Sequence, residues 1–447
     1  MNILKFGGTS LANAERIKTV SSIIDQHPDC IVVCSAMSGI TNQLEETASF
    51  WKKGNTHHAK QNLASISFRF EQEATELFQD SPNLTSETLQ VIKKYISLGY
   101  EIIGKKYDDK SHKLLLSLGE MITSIMVRNY RLKKNRQTIL INAPSFIQLN
   151  EIEEPVLEDI ELRLKGLKEF KGKGVYITQG FICSSHEGYI TNLKRGGSDY
   201  TATLTGAAIK ANRVEIWTDI DGLHNNDPRY IPNTSPVREL SYAEASELAY
   251  FGAKILHPSC VRPARERNIP VYLKNTLNPS ACGTVIRQNK SSKHIKAVAA
   301  KDKITVIRIT SGRMFNACGF LRKLFEIYDH LKIPVDVVTT SEVSVSMTID
   351  DDSRLPELEQ ALLQLGRLEV EKNQSIICAV GDVPHHFSNI LKLVDKYDIK
   401  MISMGGSSHN VTIVLPLEQK IDALRSLHQL FTKKTSSKKE TCLNINH

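Results

Sequence analysis

Ile3-Leu4-Lys5-Phe6-Gly7-Gly8-Thr9-Ser10 opens the chain, and Cys30-Ile31-Val32-Val33-Cys34 follows one amphipathic stretch later. The first run is a short apolar strand that breaks directly into a Gly-Gly turn. Between the two, residues 14–24 carry Ile17, Val20 and Ile24 at helical spacing. The second run is apolar throughout, as in a strand buried on both faces, and ends in Ser35-Ala36-Met37-Ser38-Gly39. Strand, glycine turn, helix and buried strand, in that order, predict an α/β unit on a mainly parallel sheet. Residues 42–132 keep a helical pattern with few Gly or Pro, which predicts a helical lobe attached to that sheet. Further strands are expected at 138–141, 174–177, 188–190 and 214–217. Each ends in polar or glycine residues, as where a sheet presents its binding edge.

The chain has 447 residues, enough for two to four domains at ~100–200 residues each. Hydrophobic residues at 41% and charged residues at 24% exclude wholesale disorder. The net charge of +8 is spread along the chain, which suits anionic small molecules and makes no case for nucleic acid. No apolar run reaches the ~18 residues of a membrane span, and the N-terminus lacks a signal layout. Eight cysteines (30, 34, 183, 260, 282, 318, 378, 442) form no CxxC pair. They read as reduced thiols of a cytoplasmic protein, without a disulfide framework or a zinc site. The histidine pairs His57-His58 and His385-His386 are adjacent rather than i,i+4, so no metal site is expected.

Composition shifts after Arg287, where 288–293 is polar and linker-like. The C-terminal third then repeats itself. Residues 333–349 overlay 399–415, and Leu321, Leu324, Phe325 and Tyr328 of a preceding helix match Phe387, Ile390, Leu391 and Val394 in the same register, an offset of 66. Each copy reads strand, helix, strand, turn, strand, a small α+β module used twice. The polar tail from Thr432 is expected to fray.

Small residues in Lys5-Phe6-Gly7-Gly8-Thr9-Ser10 let backbone N–H groups approach phosphate oxygens, and a helix N-terminus adds partial positive charge. Here the Lys precedes the glycines, so the pattern is not that of a P-loop NTPase. Lys194-Arg195-Gly196-Gly197-Ser198-Asp199 places a second glycine turn at an expected helix start. Arg195 could grip a carboxylate with its planar fork. Asp199 reads either as a helix cap or as the group that orients Lys5 and the phosphates. Thr218-Asp219 and Asp227-Pro228-Arg229 read as ordinary turns or as a cover for a nucleotide. Ser117-Leu118-Gly119-Glu120 reads as a small turn followed by a first-turn helix acid. Glu244 and Glu247 read as solvated-face residues of a helix that Pro258 stops, putting Lys254 near its C-terminal end. Lys254 then either offsets the helix dipole or reaches a phosphate.

Seven segments fall in the order of one family's motifs: Lys5-Phe-Gly-Gly-Thr-Ser10, Ser117-Leu-Gly-Glu120, Thr178-Gln-Gly-Phe-Ile182, Arg195-Gly-Gly-Ser-Asp-Tyr-Thr201, Trp217-Thr-Asp219, Asp227-Pro-Arg229 and Phe251-Gly-Ala-Lys-Ile-Leu-His-Pro258. The series resembles that of the aspartokinases over nearly the whole chain. The C-terminal repeat is similar to that family's paired ACT modules. Thr339-Thr-Ser-Glu-Val-Ser344 and Ser407-Ser-His-Asn410 most resemble its monofunctional, lysine-sensitive branch. The resemblance implies an amino-acid-kinase-type three-layer α/β sandwich with a mainly parallel sheet over 1–290. It further implies tandem ACT modules of ferredoxin-like α+β fold over 296–373 and 374–432, the second taking its first strand from near 296–302, and a flexible tail over 433–447. With the second module close to the end, no fused homoserine dehydrogenase is expected.

The implied reaction is phosphorylation of the side-chain carboxylate of L-aspartate by ATP with Mg2+, giving 4-phospho-L-aspartate. This is the first step of the lysine/diaminopimelate, threonine and methionine pathway. Lys5, Asp199 and Lys254 are the implied catalytic residues: Lys5 between acceptor and phosphates, Asp199 organising the centre, and Lys254 on the ATP phosphates. Glu120 is implied to hold the α-amino group of aspartate and Arg195 its α-carboxylate, with Thr41 and Ser198 lining the pocket. Gly7, Gly8, Thr9, Thr218, Asp219, His224 and Arg229 fall on the ATP side, His224 standing where relatives carry Tyr. L-Lysine is the implied inhibitor, in a pocket of Met314, Phe320, Leu321, Val335, Asp336, Thr340, Ser341 and Glu342. Ala317 stands there in place of a Ser. The implied assembly is a homodimer or a tetramer through the ACT modules, with no nucleic-acid or membrane partner. Glutamate, acetylglutamate or uridylate kinases of the same superfamily, and an inactive ACT-based amino-acid sensor, are the competing readings.

Overall fold

The computed structural model describes residues 1–193, 196–252, 257–289, 293–314 and 318–432. Strand β1 (Asn2–Phe6) leads through a 3-10 turn at Thr9–Leu11 into α1 (Ala14–Ile24), which returns to β2 (Cys30–Cys34). Asn13 caps α1 by accepting from the Arg16 N–H. All five residues of β2 are buried, as the unbroken apolar run predicts for a strand covered on both faces. Four long helices follow: α2 (Ile40–Lys52), α3 (Thr56–Leu77), α4 (Pro82–Ile103) and α5 (Asp109–Lys133). They are the expected helical lobe, packed on one another through Leu44, Leu63, Phe70 and Leu115.

β3 (Thr138–Leu140), the helices α6 (Ala143–Phe146) and α7 (Leu157–Gly166), and β4 (Val175–Gln179) come next. A hairpin of β5 (Ile182–Ser184) and β6 (Ile190–Asn192) feeds α8 (Gly197–Ile209) and β7 (Val214–Thr218). After β8 (Glu239–Leu240) and α9 (Tyr242–Tyr250), α10 (Pro258–Glu266) leads to β9 (Val271–Asn275) and β10 (Thr284–Ile286). Pro258 therefore begins a helix at its first position rather than stopping the previous one, which already ends at Tyr250.

The chain divides into two compact units, 1–223 with 256–288, and 224–255 with 289–447. In the first, the strands run β3-β4-β2-β1-β7-β9-β10, parallel except for β10. Register aligns the carboxyl ends: Phe6 pairs with Cys34 and Trp217, and Cys34 with Gln179. The loops after β1, β2 and β4 therefore leave from one sheet edge, where ligands of open α/β sheets bind.

The second unit contains β11 (Ile295–Thr310), α11 (Phe320–Leu331), β12 (Val338–Thr340), β13 (Ser344–Ile349), α12 (Leu355–Leu362) and β14 (Arg367–Gly381). It ends with α13 (Val383–Val394), β15 (Met401–Met404), β16 (Asn410–Pro416) and α14 (Lys420–Thr432). Its sheet order is β12-β13-β11-β14-β16-β15. The long strands β11 and β14 are shared: residues 305–310 of β11 pair with β13 on one side and with the start of β14 on the other, and 295–301 pair with the distal half of β14. One core gathers Leu324, Tyr328 and Met347, the other Ile390, Val394 and Leu424, so the repeat buries equivalent helix positions. Leu321 and Phe325 depart from it, standing 41% and 40% exposed.

Three further expectations are corrected. Glu244 is buried, not solvated: it closes a reciprocal capping box with Ser241 at the start of α9. Glu247 is half-buried and accepts from Asn410 Nδ2. Cys282 is disulfide-bonded, whereas Cys30, Cys34, Cys183, Cys260, Cys318 and Cys378 are free thiols. Among the described residues no helix is long and apolar enough to cross a membrane.

Candidate active site

Lys5 sits at the carboxyl end of β1, and its Nζ lies 2.6 Å from Asp199 Oδ1. Their side chains are only 12% and 15% exposed, so the pair is shielded from bulk water. Asp199 is in the first turn of α8, but the N-cap is Gly196 and no side chain caps that helix. The capping reading of Asp199 therefore fails, and its partner is Lys5. Gly196 has φ +79, and a Cβ there would lie 2.5 Å from His257 Cβ, so this turn needs glycine on both counts. The uncapped N-terminus leaves N–H donors and the positive helix end beside Ser198 and Asp199.

The first glycine turn is built differently from the expected strand-to-helix junction. It enters a 3-10 turn, and α1 begins only at Ala14 behind its own Asn13 cap. The Gly7 N–H donates to Trp217 O at 3.1 Å, and the Gly7 carbonyl accepts from Ser10 and Leu11. Ser10 Oγ donates to Trp217 O and lies 2.7 Å from Thr276 Oγ1, which fastens the turn to β7 and to the end of β9. A Cβ on Gly8 would stand 3.1 Å from Ala36 O, so little more than a hydrogen fits.

Glu120 is in the middle of α5, not at a helix start, and is 2% exposed. Gly119 explains the error. A Cβ there would lie 2.8 Å from Ala36 Cβ, so this glycine permits close packing of α5 on the segment after β2 rather than a turn. Burial raises the Glu120 carboxyl to about 8, while the Ala36 N–H draws it down. Its Oε2 is buried without a hydrogen-bond partner.

These groups wall one cavity of about 790 Å³, to which Lys5, Gly8, Thr41, Glu120, Ser198 and Asp199 contribute. Thr9 also faces it, as do Lys113 and Phe181, to which no sequence motif pointed. Arg195 and Lys254 lie outside the described residues. Thr218 ends β7 and donates to Asp219 Oδ1 at 3.0 Å. His224 and Arg229 belong to the second unit. His224 Nδ1 lies 2.8 Å from Thr234 Oγ1, and Arg229 forks onto both oxygens of Asp227. Among the described residues no group of three His, Cys, Asp or Glu gathers as a metal cluster.

The residues implied for an effector pocket are dispersed in character. Phe320 is in the core, while Leu321, Thr340, Ser341 and Glu342 are exposed. Met314 and Val335 are half-buried against the core, and Ala317 lies outside the described residues. The Asp336 side chain is 3% exposed and already engaged. Its Oδ1 accepts from Lys301 Nζ at 2.9 Å and from Tyr250 O–H at 2.6 Å. Lys301 also reaches Asp350 at 2.9 Å.

Comparison with known proteins identifies the amino acid kinase family over residues 1–275. The chain is 30% identical to the lysine-sensitive aspartokinase 3 of Escherichia coli over 95% of its own length and 98% of that protein. The crystal structure of E. coli aspartokinase III with aspartate and ADP (R-state) superposes with a TM-score of 0.83 at 29% identity, covering 97% of this chain and 100% of that one. The same E. coli enzyme with lysine and aspartate (T-state) gives 0.77 at 30% identity, covering 96% and 99%.

Proposed function

Because the chain belongs to the amino acid kinase family, and within it to the aspartokinases, we propose that it transfers the γ-phosphoryl group of MgATP to the side-chain carboxylate of L-aspartate, giving 4-phospho-L-aspartate. It is an ATP-dependent kinase; the identity of the acceptor and the roles of its residues are the substance of the proposal. The observation that carries them is the Lys5–Asp199 pair, in one cavity with the buried Glu120.

The chemistry asks for little beyond these groups. An aspartate side chain has a pKa near 3.9, so it arrives ionised at pH 7 and needs no general base. The reaction needs alignment of the carboxylate with the γ-phosphorus and cancellation of the charge spread over the transferred group. Lys5, held by Asp199, supplies positive charge where acceptor and phosphate meet. Glu120 takes the α-ammonium, Arg195 the α-carboxylate, and Thr41 and Ser198 complete the pocket. Gly7, Gly8 and Thr9, with Thr218 and Asp219, take the nucleotide side. Mg2+ would accompany the ATP phosphates and offset part of their charge, since it is usually bound through substrate phosphates rather than by an all-protein cage.

We further propose that L-lysine inhibits the enzyme through the first module of the second unit, and that the protein works in the cytoplasm as a homodimer or tetramer. The T-state structure of the E. coli enzyme, a complex with lysine and aspartate, supports the effector. The test of the reaction is ADP release with a panel of amino acids, together with hydroxylamine trapping of the acyl phosphate. Aspartate-dependent hydroxamate is the expected result. Turnover with glutamate but not aspartate overturns the acceptor, and no turnover with any acid favours a sensor.

A further inference from the structure

Phe181 is a bulky residue in a backbone conformation that bulky residues avoid, with φ +67. Such an outlier persists only where its surroundings over-determine it, and it points to function when it faces a site. Every backbone group around it is fastened. The Gly180 N–H donates to Cys34 O at 2.8 Å, and the Phe181 carbonyl accepts from the Leu193 N–H at 2.7 Å. The Phe181 N–H donates to Thr201 Oγ1 at 3.1 Å, and that hydroxyl donates to Gly197 O at 2.8 Å.

The strained turn delivers the ring to a specific place. A Cβ on Gly197 would lie 2.5 Å from Phe181 Cδ2, so the ring rests on the second glycine turn, at the foot of α8. Two residues further on is Asp199, the partner of Lys5. The ring lines the same cavity as Lys5 and Glu120. The ring thus enters that cavity from the foot of α8, the helix that carries Asp199, whereas Glu120 enters it from α5.

We infer that Phe181 is a specificity-determining residue whose ring limits the length of the acceptor, admitting a two-carbon reach from α-ammonium to reacting carboxylate and refusing one methylene more. This rests on the reading that Glu120 holds the α-ammonium and Lys5 meets the side-chain carboxylate. A side chain on a relaxed backbone could swing away from a longer acid. The fastened turn denies this one that freedom, which gives the strain a purpose that packing alone does not.

The experiment compares kcat/KM for L-aspartate and L-glutamate at saturating MgATP in wild type, Phe181→Gly, Phe181→Ala and Phe181→Tyr, by hydroxylamine trapping. One methylene is worth ~10–200-fold in discrimination. The aspartate-over-glutamate ratio should therefore fall by at least about tenfold in Phe181→Gly and Phe181→Ala, with KM for ATP unchanged. Phe181→Tyr keeps the ring and should keep the ratio. An unchanged ratio in a small variant that still turns over aspartate overturns the inference. Should a small variant lose turnover with both acids, calorimetric titration of each acid reads the same ratio, and an unchanged ratio again overturns it. A wild type that turns over neither acid sinks the reading of the reaction instead, while one that uses both equally sinks the length limit alone.

Discussion

Replacing Glu120 by Gln interrogates the acceptor end of the cavity through protons rather than through rate. In the free protein burial raises this carboxyl from its ordinary 4.5 to about 8, so it is mostly protonated at pH 7. An ammonium placed against it favours the ionised form and brings the pKa down. Aspartate binding at pH 7 should then release close to one proton per site. Titration calorimetry in two buffers of different ionisation enthalpy counts that proton directly. Wild type should release it and gain aspartate affinity from about pH 6 to about pH 8, while Glu120→Gln should release none and stay flat. A buried charge-assisted hydrogen bond is worth about 1.5–3 kcal/mol, so the variant should bind aspartate roughly 10- to 150-fold more weakly, with ATP affinity unchanged. Wild-type binding without proton release would refute the assignment of Glu120 to the ammonium.

The same carboxyl leaves a signature in stability whose sign is fixed. The unfolded chain ionises Glu120 near 4.5, the folded chain only near 8, so the folded state holds the extra proton between them. The stability this group contributes is complete below the lower value and is lost as pH rises through the upper one. At about 1.4 kcal/mol per pH unit, the interval amounts to at most about 5 kcal/mol. Urea unfolding should show Glu120→Gln gaining on wild type steadily from about pH 5 to about pH 8.5. A constant gap across that range would mean that the carboxyl is not held protonated by burial.

Lys5→Ala removes the cation proposed to lie nearest the transferred group and should lower kcat by ~10²–10³ with folding intact by circular dichroism; retention of a tenth of the wild-type kcat would displace Lys5 from that role. L-Lysine should bind and be weakened by saturating aspartate or ATP, because a coupling of ~1–3 kcal/mol is reciprocal. No calorimetric binding at millimolar lysine sinks the effector, and binding that Glu342→Ala leaves untouched moves its site. Since Asp336 already holds Lys301 and Tyr250, Lys301→Met should tighten lysine binding, and an unchanged affinity would mean that the effector's ammonium does not meet Asp336.

Periodicity and punctuation made the scaffold legible. The apolar run 30–34 could only be a covered strand, and Ile17, Val20 and Ile24 could only be one face of a helix; all are fully buried. Ser117-Leu118-Gly119-Glu120 misled because small residues mark turns in general, yet here Gly119 serves helix-on-loop packing. The apolar positions Leu115, Leu118 and Ile122 around it carried the helical signal that should have prevailed. Ser241 followed three residues later by Glu244 was a capping-box signature, and reading the acid as solvated overlooked it. Nothing local in the sequence could reveal the strain at Phe181, because the backbone there is held by Thr201 of α8, by Leu193 just after β6 and, through Gly180, by Cys34 of β2.

The pairing of Lys5 with Asp199 belongs to neither motif alone, and it bears on how the cavity tolerates its substrates. In the proposed reaction a nucleotide polyphosphate and a dicarboxylic acid would bring several negative charges into a space that also contains two acidic side chains. The structure mutes both acids in the free protein. Asp199 is neutralised by Lys5 at 2.6 Å, and Glu120 is kept protonated by its own burial. The open N-terminus of α8 adds donors without adding a competing carboxylate, because its cap is a glycine. On the proposed assignment, most of the negative charge on Glu120 develops when the substrate's ammonium meets it. The positive charge of Lys5 is fixed in place beforehand, so it need not be gathered during the transfer. For a reaction whose acceptor is already ionised, these are the two requirements that remain, position and charge cancellation. The fold serves both by setting Lys5, near the carboxyl end of β1, against Asp199 in the first turn of α8, although the two lie far apart in sequence.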